Sequence, residues 1–140
     1  MTAPEKRRRP HPADRFAGAE HVLDLPATLR ALRAERSAAN KNGHRQIALA
    51  HHGPVRLVLF AFDAGGRMPE HQAPGWTTIH VLRGALAVRT PEARHTLSEG
   101  QILSLAPGVP HDVEAAAEAT CCSASIPRRP SVRPRRHSRR

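Results

Sequence analysis

The chain has 140 residues, enough for one ordinary domain, and no apolar run approaches the ~20 residues that a membrane-spanning helix needs. Its net charge is +10, but residues 16–127 hold ten basic and ten acidic side chains, so the whole excess lies in the two ends. That placement leaves the central segment without net charge, which argues against a basic nucleic-acid-binding domain, and the two adjacent cysteines exclude a disulfide framework.

The first segment, residues 1–18, begins MTAPEKRRRP and reads as a disordered basic arm. No hydrophobic stretch follows it, so it is not a secretory leader, and the expected compartment is the cytoplasm. Residues 19–44 read as an N-terminal helix and linker. The spacing predicts the helix over Pro26–Ser37: Asp24 suits the cap, Pro26 the first turn, and Leu29 and Leu32 share a face. Asn40-Lys41-Asn42-Gly43 marks a turn.

From Arg45 the apolar period becomes two. Residues 45–126 read as a β-sandwich or closed β-barrel with strands at Arg45–Ala50, Val55–Phe62, Arg67–His71, Trp76–Arg83, Ala85–Thr90, His95–Ser98, Gln101–Leu105, Asp112–Ala116 and Thr120–Ser125. Gly- and Pro-containing breakers separate them, and no helical run between strands supports a parallel α/β sheet. The expected class is all-β. Cys121 and Cys122, neighbours in one strand, point to opposite faces and read as small apolar residues in a reducing compartment.

Two strands are apolar on both faces. Val55, Leu57, Leu59 and Ala61 line one side of the second strand, and Val58, Phe60 and Phe62 the other. A barrel wall needs only one apolar face, so the outer one calls for cover by the N-terminal segment or a second copy. A homodimer is the expected assembly. Residues 127–140 form an Arg- and Pro-rich tail, read as disordered. Nucleic-acid contact through the tails is not favoured, because no aromatic side chain is interleaved with the arginines to stack on bases. No membrane partner is expected.

Two glycine-framed strings hold the histidines of interest. In the first, Gly65 is followed after five residues by His71, then Ala73, Thr77 and a closing Gly84. In the second, Gly100 precedes Ala106, Gly108, His111 and Ala115. Gly65, Gly75, Gly84, Gly100 and Gly108 fall at the expected barrel corners, where a Cβ would clash. Pro107-Gly108 sets His111 at a strand start, with its ring free to turn inward.

These strings resemble the two motifs of the cupin superfamily, G-x5-H-x-H-x3-E-x6-G and G-x5-P-x-G-x2-H-x3-N. The segment EHQAPGWTTIHVLRG is similar to small single-domain cupins with a conserved type-2 barrel. The resemblance implies a single double-stranded β-helix, or jelly-roll barrel, with a short N-terminal helix. It also implies a metal site of three histidines and one carboxylate. Here those positions hold His71, Ala73, Thr77 and His111. Ala73 has no donor and Thr77 a neutral one, so the expected cofactor is none, or a weakly bound divalent transition metal (Fe, Mn, Ni or Zn) on His71 and His111.

Other histidines do not complete the set. By strand parity His80 points out of a barrel in which Thr77 points in, and His51-His52 lies in a turn. Trp76, beside Thr77, is expected with His71, Thr77 and His111 at the ligand pocket. Catalytic residues are not identifiable, and whether the chain is an enzyme stays open. The leading reading is a small cupin-domain protein that binds or senses a small molecule in its barrel, with weak or no metal binding. The alternatives are a metal-dependent dioxygenase, isomerase or decarboxylase using His71 and His111, and an interaction protein whose Arg-rich tails contact nucleic acid. Ala, Arg and Pro richness suits a GC-rich bacterial genome.

Overall fold

A computed structural model describes residues 15–35 and 42–128. The basic arm over residues 1–14 and the tail over 129–140 lie outside the described residues. Among the described residues, helix α1 (Leu25–Ala34) precedes nine strands. They are β1 (His44–His52), β2 (Val55–Phe62), β3 (Arg67–His71), β4 (Trp76–Arg83), β5 (Ala85–Arg89), β6 (Arg94–Ser98), β7 (Ile102–Leu105), β8 (His111–Glu114) and β9 (Ala119–Ile126).

Helix α1 starts as the capping chemistry predicts: the Asp24 carboxylate accepts from the Ala27 N–H, and proline occupies the first turn. It ends at Ala34, earlier than the predicted Ser37, and residues 36 and 37 lie outside the described residues. All nine predicted strands are present; three have the predicted bounds and the others differ by at most two residues at an end. They form two sheets, ordered β1-β2-β9-β4-β7 and β3-β8-β5-β6. Every recorded strand pair is antiparallel.

The main core lies between the sheets and includes Phe60, Phe62, Ile79, Val81, Leu86, Val88, Leu97 and Val113. Apolar burial of this kind contributes about 1.5–3 kcal/mol per large side chain. A second cluster lies outside the five-stranded sheet. Leu49, Leu59 and Cys122 are buried there, with Leu25 and Leu29 of α1 packed against them. Leu32 of the same helix is only 1% exposed. An ion pair of 2.9 Å from Arg33 to Glu118 ties α1 to the β8–β9 turn. The outer face of β2 is therefore covered by the N-terminal segment of the same chain. What stays exposed there is a row of three apolar side chains, Val55, Ile126 and Trp76.

Two corner glycines are required for different reasons. Gly84 has φ +78°, and a Cβ would stand 2.8 Å from the Glu118 carbonyl oxygen. Gly75 does not have positive φ. Its Cβ would meet the Ile126 carbonyl oxygen at 2.1 Å, so close backbone approach, not the corner angle, demands glycine. Among the described residues no helix is long and apolar enough to cross a membrane.

Candidate functional site

The end of β3 and the start of β8 meet at one residue pair, His71 opposite His111. Their ring centroids are 4.2 Å apart at 59°. Each ring is held by its own backbone: His71 Nδ1 lies 2.9 Å from the Pro69 carbonyl, and His111 Nδ1 2.9 Å from the Val109 carbonyl. A carbonyl oxygen only accepts, so both Nδ1 atoms carry the hydrogen. Both Nε2 lone pairs are left for another partner.

The two rings differ in surroundings. His71 is exposed, whereas His111 is 3% exposed. Burial is the main force lowering the His111 pKa from the usual 6.5, and the neighbouring His71 lowers it further. The Val109 carbonyl and Asp112 oppose the shift. Asp112 faces outward and pairs with Arg89 at 3.1 Å.

Both histidines line a cavity of about 240 Å3 between the sheets. A short connection from His71 to Trp76 brings the end of β3 beside the start of β4, so Thr77 shares that end of the cavity. The register adds two further side chains. Arg56 of β2 is opposite Ser125 of β9, and Ser125 is opposite Thr77 of β4. Residues directly opposite in a sheet point to the same side, so Arg56, Ser125 and Thr77 form one inward row. All three line the cavity. Beyond them the lining is mostly apolar, through Val58, Ile79 and Cys121 to Phe60 and Phe62, with Ser123 and Gln46 among it. Thr77 is 7% exposed, and its Oγ1 is buried without a hydrogen-bond partner.

Of the expected pocket residues, the fold brings together His71, Thr77 and His111, with Ala73 at the same opening. Trp76 does not join them. It occupies the opposite face of β4 from Thr77, is 48% exposed, and pairs with Ile126. Period-two alternation is the reason: inward Thr77 forces its neighbour outward. The same parity sends His80 out, opposite Cys122 of the outer cluster. His51 and His52 end β1 at exposed positions.

The sequence reading did not single out Arg56, Gln46, Ser123, Ser125 or Met68, all of which line the cavity. The first was within reach, since stepping back by two from Phe60 and Val58 lands on Arg56. Met68 was not. A bulge between Met68 and His71 breaks the alternation and turns both inward, around Pro69, which has no N–H for the ladder.

The donor set does not fit a resident transition metal. Two imidazole Nε2 atoms are offered, Ala73 contributes nothing, and Thr77 offers only a neutral hydroxyl. Among the described residues no group of three or more His, Cys, Asp or Glu side chains converges. Tight sites use three or four protein ligands, and here no carboxylate offsets the metal charge.

A family model described as a cupin domain matches residues 58–126. Among solved structures, a conserved protein of unknown function from Streptococcus pyogenes is 19% identical, with a TM-score of 0.63 over 82% of this chain and 96% of that one. A cupin superfamily protein from Desulfitobacterium hafniense is also 19% identical, with a TM-score of 0.63 over 79% of this chain and 94% of that one. A salicylate 1,2-dioxygenase variant from Pseudoaminobacter salicylatoxidans, in complex with gentisate, is 21% identical, with a TM-score of 0.64. The match covers 74% of this chain but 32% of the dioxygenase. At such identities the likeness is one of fold. No curated protein matches the sequence.

Proposed function

We propose that this chain, which belongs to the cupin superfamily through its barrel domain, binds a small molecule in the cavity between its sheets. The observation that carries this reading is the unpartnered Thr77 hydroxyl. A buried hydroxyl left without a hydrogen bond costs about 1–3 kcal/mol, and no protein group among the described residues supplies one, which favours a guest molecule beside it. Around it stand two imidazoles with fixed tautomers and free Nε2 acceptors. The wall beyond is mostly apolar, with Ser123 and Gln46 among its lining, as in ordinary ligand pockets.

The test is direct. Benzamide, an apolar ring with a small polar end, is titrated while the ring resonances of His71 and His111 are followed by NMR. Saturable shifts are expected in the native protein. They should vanish in Ser123→Trp, which fills the cavity from β9. Equal shifts in the filled variant, or no shift with millimolar benzamide or with its acid and phosphate analogues, would contradict the reading.

A metal-dependent enzyme is the second reading, favoured by one feature: both imidazoles leave Nε2 lone pairs unused by the protein. Two such donors fall short of a tight site. The homodimer has support only from the exposed row of Val55, Ile126 and Trp76, since α1 covers the rest of the outer cluster. The Arg-rich ends that would serve an interaction protein lie almost wholly outside the described residues.

A further inference from the structure

The charge of the cavity lining is one-sided. Arg56 is its one residue of fixed charge, and it contains neither Asp nor Glu. Among the described residues Arg56 has no acidic partner; the recorded ion pairs join Arg33, Arg45 and Arg89 to Glu118, Asp63 and Asp112. The guanidinium is also not alone. Ser125 lies beside it in the cross-strand row, and Thr77 is one strand further. At roughly 4.8 Å per strand, about 10 Å separates the backbones of Arg56 and Thr77, a span that a long arginine side chain shares with a small ligand group. Thr77 is more than nine-tenths buried and lines the cavity, and among the described residues its hydroxyl has no hydrogen-bond partner.

We infer that this row is a carboxylate-binding site: the Arg56 guanidinium pairs with a ligand carboxylate, the Thr77 and Ser125 hydroxyls donate to it, and the ligand's apolar body lies toward Val58, Ile79 and Phe60. The inference rests on the reading that the barrel binds a small molecule, and it adds the ligand's class. A guanidinium presents its N–H groups as a planar fork that matches a carboxylate. One fixed cation balances one negative charge. A dianionic phosphate would carry a second charge into a cavity with nothing fixed to offset it. The wall beyond the row offers no further charged group, so the rest of the ligand is an uncharged, largely apolar body.

Benzoate and benzamide differ in charge but hardly in shape, and phenyl phosphate adds the dianion. Titration calorimetry in low salt is expected to show benzoate binding about tenfold or more tighter than benzamide, the size of one charge-assisted hydrogen-bond pair. Phenyl phosphate should be weaker than benzoate. Arg56→Gln should weaken benzoate about tenfold and leave benzamide within about twofold, while Arg56→Lys keeps part of the preference. Thr77→Val should weaken benzoate by a few-fold. Arg56 is exposed, so a thermal melt close to the native one is expected for both Arg56 variants. Equal binding of benzoate and benzamide, tighter phenyl phosphate, or an unchanged preference in Arg56→Gln would overturn the carboxylate assignment while leaving the pocket intact. Failure of all three probes would overturn the pocket reading, and this inference with it.

Discussion

The two ends of the cavity treat buried polar groups in opposite ways. Behind the lining residues Phe60 and Phe62 at the inner end, His44 is 5% exposed, and its Nδ1 meets the Arg67 carbonyl at 3.2 Å. Its ring packs on Phe60 and Phe62, with centroids 6.0 and 5.4 Å away. At the outer end Thr77 is as deeply buried, yet its hydroxyl has no partner. One end is finished as a core. The other keeps unmatched donors, a lone guanidinium and two imidazoles with idle lone pairs. The contrast separates the part that holds the fold from the part that meets a ligand.

Substitutions at the finished end should be the costly ones. Phe62 is fully buried within the inter-sheet cluster, so Phe62→Ala is expected to cost about 3–5 kcal/mol in urea unfolding. A cost below about 1 kcal/mol would mean the inner end is not the core. Next comes the corner between β4 and β5. Gly84→Ala places a Cβ at a left-handed φ and against the Glu118 carbonyl, and should cost about 1–2 kcal/mol or more.

Smaller effects belong to the open end. His111 has a lowered pKa in the folded state, so the unfolded chain binds its proton first as pH falls. Stability from keeping His111 neutral is fully present above about 6.5 and is lost as pH drops through the folded value. Unfolding of the native protein should therefore be more acid-sensitive below that pH than unfolding of His111→Gln. Identical pH profiles would contradict the burial that causes the shift. Smallest of all, Thr77→Val should leave stability unchanged or raise it by up to about 1 kcal/mol, because no protein hydrogen bond is lost. A clear loss would show that the hydroxyl has a partner in the protein.

Much of this contrast is legible in the sequence. Period-two alternation and the glycine breakers locate all nine strands; the family resemblance puts Thr77 inward, and parity then sends His80 outward. What the sequence conceals depends on register between distant strands. Nothing local announces that Arg56, Ser125 and Thr77 share a row, because β2, β9 and β4 become neighbours only in the folded sheet. Alternation also misleads where it is broken, as at the Met68–His71 bulge. Trp76 shows the reverse failure: proximity in sequence to a site residue suggested a shared role that the alternation forbids. Gly75 is required by the approach of Ile126, a contact between segments far apart in the chain.

The central claim is that the open end serves a ligand without a resident metal. Elemental analysis of protein purified without a histidine tag, paired with a melt in excess chelator, tests it most directly. The account predicts well under one Fe, Mn, Ni or Zn per chain and an unchanged melting temperature. One equivalent of such a metal, lost in His71→Ala and His111→Ala and worth many degrees of melting temperature, would contradict it.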